Sequence, residues 1–591
     1  MQVWINTNQT LRLYEINFQT TFFLYIPYIL CFDYNENGQL IAQHQWKVPS
    51  KEENARNGLP ETDWRDAQYD MLYLPVTETV RYHYDFNGNR TATVLPDGRQ
   101  INCLYYGSGH LHQISLDDEV ITDIERDKLH REIFRTQGKL ASRYELDPLG
   151  RLKRQIATLN NLAEGGKGKT KVAAGYSQTA VKRSYGYDRT GNLTHSTDQR
   201  TGTTQFEYDK LGRITQAGNE RFAFDPAHNI LSDHNSPTVP DNRLKTYNGT
   251  TYYYDELGNL IHRELANGEV QNYFYDLHDQ LVKAEIFKKD GTKETWSYSY
   301  DALGRRIGKG RLKDEEVSET SFPHDLSGND LENQTRFVWD GSHLLQEIHS
   351  DSRYTYIYTD PNSYEPLAQV HDWTTEDGES RQQTHYFHCD QIGIPREMTD
   401  KDGNLLWFGN YTGWGRLKGE TKVTDSAYQP FRLQNQYADR ETGLHYNFFR
   451  YYEPDAGRFV NQDPIGLLGD ENFYTFAPNV MIWIDILGWF KFKISAKKIK
   501  YALGYFKHNQ KSVDKGKLFN KLGFGPKCMK KEITKLAKTG KKENIRHTEW
   551  GEQFSQTGVI TSKTGETVKI SLGWIIDKGQ KVARLVTITP R

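Results

Sequence analysis

The heptapeptide "YDELGNL" at residues 254–260 decides the fold, because the chain repeats it. Copies occur as "YDFNGNR" (84–90), "YELDPLGRL" (144–152), "YDRTGNL" (187–193), "YDKLGRI" (208–214) and "YDALGRR" (300–306). Degraded copies are "FDYNENGQL", "FDPAHNI", "YDLHDQL" and "WDGSHLL". From Asp188 through Asp209, Asp225, Asp255 and Asp276 to Asp301 the steps are 21, 16, 30, 21 and 25 residues. Each copy reads as a hairpin. An alternating aromatic strand ends in Tyr, an Asp accepts hydrogen bonds from amides ahead of it, Gly supplies positive φ, and a return strand follows. One hairpin cannot bury its apolar face in water, but a stacked series can. The pattern predicts a mainly β hairpin array and requires no catalysis of its Tyr-Asp pairs.

Composition agrees. Of 591 residues, 36% are hydrophobic and 13% aromatic, with 37 Tyr, 27 Phe and 48 Gly, which favours short strands and tight turns. The four cysteines, Cys31, Cys103, Cys389 and Cys528, show no paired spacing, so neither a disulfide framework nor a zinc site is signalled. The apolar run "FFLYIPYILCF" (22–32) is too short to span a bilayer, lacks the flanks of a signal peptide, and reads as a buried strand. Synthesis in a reducing cytoplasm is expected, with no membrane span and with export by a carrier outside this chain.

The net charge of −2 conceals a division. Residues 490–591 hold 24 Lys+Arg against 7 Asp+Glu, a balance of +17, which leaves −19 for residues 1–489. A basic segment of this size implies a polyanionic partner, with nucleic acid first among them. The change falls at "DPIGLLGDENFYTFAPNVMIWIDILGWF" (463–490), where tyrosine- and glycine-punctuated sequence gives way to "KFKISAKKIK".

The repeats resemble the Rhs/YD-repeat family of bacterial polymorphic toxins, which is related to tripartite-toxin C components and teneurins. The blocks "YFHCDQIGIPREMTDKDGNLLWFGNYTGWGRL" (386–417), "FRLQNQYADRETGLHYNFFRYYEPDAGRF" (431–459) and "DPIGL" (463–467) resemble the C-terminal signature of the Rhs core. The resemblance covers roughly residues 30–489. It implies a sheet that spirals into a hollow shell over residues 1–384, a core-associated plug at 385–489, and a variable C-terminal domain at 490–591 carried inside. Family members are longer and often begin with a spike-docking domain. The opening "MQVWINTNQTLRLYEINFQT" does not resemble one, so either a displaced, orphan-type tail or a separately encoded fragment is expected, with an incomplete shell.

At the charge boundary, Asp463 and Asp485 are 22 residues apart, each in a DPxG-like setting, and Arg450 lies 13 before the first. Two adjacent carboxyls can share a proton, one activating water while the other protonates a leaving amide, with an arginine tuning both. In the resembled family this arrangement is associated with self-cleavage. By position it assigns Arg450, Asp463 and Asp485 as the catalytic set, with the scissile bond after Trp489. The second motif departs from the family's form: "DILGW" carries Ile486 for Pro and Trp489 for Leu. The alternative is that these aspartates only cap turns.

Three other patterns are dismissed. "AEGGKGKT" (163–170) lacks the first glycine of a phosphate loop and reads as a flexible loop. "HYFHCD" (385–390) falls in a structural block rather than a metal site, and "GHLHQ" (109–113) and His83 lie on strand-like segments.

In the C-terminal part "SAKKIKYALGYFKHNQ" and "CMKKEITKLAKTG" have helical spacing, and "DKGKLFNKLGFG" reads as a short helix ending at Gly523. Strand-like runs "EQFSQTGVIT", "ETVKISLGWII" and "VARLVTITP" follow, which predicts a small α+β domain. Element order resembles the barnase/colicin class of metal-independent ribonucleases. More closely, "KGKLFNKLGF", "GWII" and "RLVTITP" resemble an uncharacterised domain found at the ends of bacterial polymorphic toxins. Metal-independent RNA cleavage needs a base, an acid and cations. The candidates are His547, Arg584 and Thr587, then Lys515 and His508, and "IRHTEW" (545–550) clusters a cation, imidazole, hydroxyl and carboxylate. With only Asp514, Asp577 and five Glu, and no HNH, GHH or PD-ExK spacing, a metal-dependent nuclease is disfavoured. Signatures of deaminases, ADP-ribosyltransferases, nucleophilic cysteines and pores are absent. No cofactor or metal is expected.

Two functions follow. One is an Rhs toxin in interbacterial competition, delivered by a secretion carrier or spike protein, acting on RNA in the target cytoplasm and blocked by an acidic immunity protein. The other is a YD-repeat scaffold or surface protein whose tail binds nucleic acid or a partner without catalysis.

Overall fold

The computed structural model describes residues 2–7, 10–15, 28–47, 76–107, 109–159, 179–232, 238–313, 331–424, 427–464, 472–477, 479–481 and 485. In the basic part it describes 517–525, 529, 532–533, 536, 543–548, 551–562, 566–577 and 584–590. The "AEGGKGKT" segment lies outside these residues, as do the "SAKKIKYALGYFKHNQ" helix and Trp489.

Two long sheets form the body. From Tyr28–Tyr34 to Glu220–Arg221 the strands pair antiparallel with their sequence neighbours in a seventeen-stranded sheet. Among the described residues its one parallel pairing joins Gln2–Thr7 to Tyr28–Tyr34. The "FFLYIPYILCF" run thus ends in a strand, with Leu30 fully buried. A second, fifteen-stranded antiparallel sheet runs from Thr246–Tyr247 to Leu417–Lys422. It passes the expected boundary at residue 385 without a break, because Ser380–Cys389 and Pro395–Asp400 keep the hairpin pattern. A separate four-stranded unit begins only at Tyr437–Ala438.

The repeat works as a two-part fastener. At Asp209 the side chain Oδ1 accepts from the amides of Leu211 and Arg213, both at 2.9 Å, while Oδ2 accepts from Arg213 Nε at 2.6 Å. Gly212 has φ of +80° and donates back to the Asp209 carbonyl at 3.0 Å. Asp188, Asp255 and Asp301 close their turns in the same way. The tyrosine then ties each hairpin to its predecessor. Tyr208 Oη donates to the Leu193 carbonyl at 2.8 Å, Tyr275 to Leu260 at 2.9 Å and Tyr300 to Leu281 at 2.7 Å. In each case the acceptor is the last residue of the preceding heptapeptide, so Tyr sets the spacing of the array.

The second sheet is buried on both faces. Phe337, Trp339, Leu344, Tyr356 and Phe387 join one core, and their neighbours Val338, Leu345, Ile357 and Tyr386 join another with Val80, Tyr82, Leu95 and Ile101. Contacts between the sheets advance together along the chain: Arg90 with Asp340, Gln137 with the Phe387 carbonyl, Arg183 with Glu397, and Glu220 with the Gly413 amide. The chain thus returns alongside itself, as the spiral expectation requires. Among the described residues no helix is long and apolar enough to cross a membrane.

On the other face of the second sheet sit residues from the stretch read as the plug (385–489), of which Phe431, Tyr446, Tyr452, Phe459 and Phe476 join the larger core. Its anchor is ionic. Arg306 of the sheet is fully buried, bonded to Asp439 at 2.5 Å, with the rings of Tyr437, Tyr446 and Tyr451 around its guanidinium. Lys309 adds contacts to Asp439 and Glu441, and Arg263 pairs with Glu453. Burial would push such charges toward neutrality, but each finds an opposite charge.

In the basic part, residues 517–521 form a helical turn closed by Gly523 at φ of +77°, with Phe524 N–H bonded to the Phe519 carbonyl at 2.9 Å. This is the glycine stop read from "KLGFG". Glu543–Thr548, Gly551–Thr561, Thr567–Asp577 and Arg584–Pro590 form an antiparallel sheet in chain order. Phe519, Phe524, Met529, Ile533 and Leu536 pack with Ile560, Ile570, Leu572, Trp574 and Ile588 in a separate core.

Candidate self-cleavage site

The plug's central hairpin builds this site. His445–Asn447 pairs with Arg450–Glu453, placing Tyr446 opposite Tyr451 and Asn447 opposite Arg450. Alternation along a strand sends these two pairs to opposite faces. Tyr446 and Tyr451 lie against Arg306, whereas Asn447 and Arg450 meet the aspartates. The two-residue connection strains its backbone: Phe448 has φ of +60°, a region that favours glycine, and is held there by a buried ring packed on Trp339.

Arg450 is completely buried. One nitrogen, Nη2, lies 3.2 Å from Asp463 Oδ2 and 3.3 Å from Asp485 Oδ2, so these oxygens are no more than about 6.5 Å apart. Nη1 donates to the Phe473 carbonyl at 2.9 Å, and the guanidinium lies 3.5 Å from the centre of the Phe459 ring. Burial lowers the Arg450 pKa below its ordinary value, and the two carboxylates oppose that shift. Asp463 and Asp485 are each only 6% exposed, and the Asp463 amide donates to the Phe473 carbonyl at 3.0 Å. Residues separated by up to 35 positions thus converge on one guanidinium. Sequence reasoning named Arg450, Asp463 and Asp485, and the structure brings all three together; the bond after Trp489 lies outside the described residues.

The toxin-domain candidates are placed differently. His547 lies on the edge strand Glu543–Thr548, opposite Glu552. Arg584 and Thr587 lie on the other edge strand, opposite Ile575 and Gly573. Two strands intervene, so the backbones are separated by three strand spacings, about 14 Å. The sheet does not bring His547 next to Arg584 and Thr587. His508 and Lys515 lie outside the described residues.

In the "HYFHCD" segment, His388 Nε2 meets Thr399 Oγ1 at 3.0 Å, and the Cys389 thiol donates to the Pro366 carbonyl at 3.4 Å. Burial, with Arg183, Arg135 and Arg200 nearby, pushes the His388 pKa down to about 3. Among the described residues no three His, Cys, Asp or Glu side chains are grouped to hold a metal ion. In "GHLHQ", His110 stacks on His130 with ring centres 3.7 Å apart. Sequence reasoning missed Asn447, whose signal was its place in "HYNFFRYY", directly across the turn from Arg450.

Long antiparallel sheets stitched by tyrosines define a YD-repeat shell protein. Comparison with known proteins agrees: the teneurin YD-shell model matches residues 169–323, the RHS protein model 384–421, and a domain of unknown function, DUF6883, residues 491–591. The double-stranded DNA deaminase toxin A of Burkholderia cenocepacia (strain H111) is 36% identical over 484 residues, covering 78% of this chain and 30% of that protein. The probable deoxyribonuclease RhsB of Dickeya dadantii (strain 3937) is 28% identical, covering 76% and 30% respectively. A crystal structure of TcdB2-TccC3 superposes with a TM-score of 0.52 at 16% identity, over 77% of this chain and 24% of that one, which shows likeness of fold. The chain belongs to the Rhs/YD-repeat toxin family and carries a C-terminal DUF6883 domain. It spans about a third or less of the length of these relatives.

Proposed function

We propose that this chain is the carrier and cargo of a toxin used in interbacterial competition. The shell and plug hold residues 490–591, and self-cleavage after Trp489 releases them. The observation that carries this reading is the single guanidinium bridging two buried carboxyls at the boundary between the acidic and basic parts. In the reaction one carboxylate takes a proton from water, whose oxygen attacks the Trp489 carbonyl. The other carboxyl gives its proton to the Phe490 nitrogen as the C–N bond breaks, leaving a new carboxyl on Trp489 and a free amine on Phe490. Arg450 fixes both groups and offsets one of their charges.

The cargo is proposed to cleave RNA without a metal, using His547, Arg584 and Thr587 with Lys515 and His508, and to meet an acidic immunity protein in the producing cell. Its charge of +17 supports a polyanionic target. The two named relatives act on DNA by their descriptions, so shell likeness does not transfer a cargo chemistry. With His547 and Arg584 on opposite edge strands, a phosphodiester would have to lie across the sheet between them.

Expression of residues 490–591 in a bacterium tests the cargo. Growth arrest with RNA fragmentation, lost in His547→Ala or Arg584→Ala, supports the reading. Arrest with intact RNA and damaged DNA moves the target to DNA, and unaffected growth favours a non-catalytic binding tail.

A further inference from the structure

Asn447 touches the cleavage site without belonging to its acid–base set. Its Nδ2 donates to the backbone carbonyl of Asp485 at 2.9 Å, across 38 residues of sequence. The side chain is fully buried. Among the described residues its Oδ1 finds no hydrogen-bond partner, although an unpaired buried acceptor costs about 1–3 kcal/mol. The bond to a carbonyl fixes which end of the amide is which, since only the NH2 group can donate. The residue stands directly opposite Arg450, beside the strained Phe448, so its position is set by the same hairpin that sets the guanidinium.

Asp485 is therefore held at two points. Arg450 holds its carboxylate and Asn447 holds its main chain. A carboxylate gripped by its tip can swing with its backbone; gripping the carbonyl as well fixes the main chain from which the acid projects. Misplacement of reacting groups by 1 Å can cost about 10²-fold in rate.

Resting on the self-cleavage reading, we infer that Asn447 is a positioning residue of that reaction. It orients Asp485 through the bond from its Nδ2 to the Asp485 carbonyl. A group that cannot donate to the Asp485 carbonyl does not serve this function.

The test follows cleavage of the full-length chain over time on denaturing gels from pH 4 to pH 8, with rates expressed relative to the unaltered chain at each pH. Asn447→Leu, which keeps the volume, is expected to slow cleavage at least tenfold while the midpoint of heat unfolding stays level or rises. Asn447→Asp is expected to slow cleavage as strongly near neutral pH and to recover as pH falls through the carboxyl range, where the new side chain becomes a donor. An unfolded variant cannot recover in acid, so recovery separates positioning from a purely structural role. Rates equal to the unaltered chain for both variants overturn the inference, as does failure of Asn447→Asp to recover. If Asp463→Asn and Asp485→Asn also cleave normally, or the unaltered chain is never cut, the underlying reading falls with it; if those two are inert while the Asn447 variants cleave normally, only the role of Asn447 falls.

Discussion

Asp209 and Asp463 are the same residue facing the same partner, yet they occupy opposite situations. In the repeat, Asp209 has an arginine of its own four residues on, and its two oxygens accept from Arg213 Nε and from two backbone amides. In the plug, two aspartates divide one nitrogen of a fully buried arginine. The first arrangement ties a turn and leaves nothing to react. The second brings two carboxyls onto one cation out of water. The proposed reaction centre thus differs from the turn fastener in joining carboxyls far apart in sequence on one fully buried guanidinium.

The contrast breaks most sharply at the plug. Asp463→Asn or Asp485→Asn is expected to reduce release of residues 490–591 by at least about 10²-fold, the range for losing a catalytic acid or base, while Asp209→Ala leaves release unchanged. Equal effects of the plug and repeat variants would erase the distinction. Next in size is the anchor: Asp439→Asn leaves Arg306 buried without its carboxylate and is expected to cost about 3–5 kcal/mol, measured as a fall in the denaturant midpoint of the full chain.

Acidity sharpens the picture of the shell. His388 is held neutral, with its pKa pushed down to about 3, and His385 to about 4. In the unfolded chain both take up protons near the ordinary histidine value of about 6.5, so the unfolded state binds more protons below that pH and stability is lost as pH falls. The loss per histidine is expected to approach about 1.4 kcal/mol per pH unit between pH 6 and pH 4, and His388→Gln should flatten the decline. The smallest effect belongs to the repeat: Tyr208→Phe, which removes the tie to the Leu193 carbonyl, is expected to cost about 1 kcal/mol in denaturant unfolding.

The hairpin array was legible because its signals are local: Asp, Gly and the return strand lie within seven residues, and Gly212 adopts the positive φ that the turn demands. The tyrosine tie was not legible, since Tyr208 reaches back 15 residues to a backbone carbonyl that any residue would supply. Arg450, Asp463 and Asp485 could be named from the resemblance, but their meeting on one nitrogen depends on tertiary folding. Asn447 escaped notice because asparagine beside a turn is ordinary. Residues 386–417 are distinctive in sequence yet pair as ordinary strands, and the ladder of the second sheet continues to Lys422. In the basic part the glycine stop at Gly523 was readable, whereas no local pattern reveals that His547 and Arg584 lie on opposite sheet edges.

The most direct measurement is the N-terminal sequence and intact mass of the small fragment from purified full-length protein, compared with Asp485→Asn prepared in parallel. Two carboxyls sharing Arg450 predict a fragment beginning at Phe490 in the unaltered chain and a single uncut species in the variant. A single uncut species in both, or the same fragment in both, would contradict the assignment of Asp485 as part of a cleavage centre.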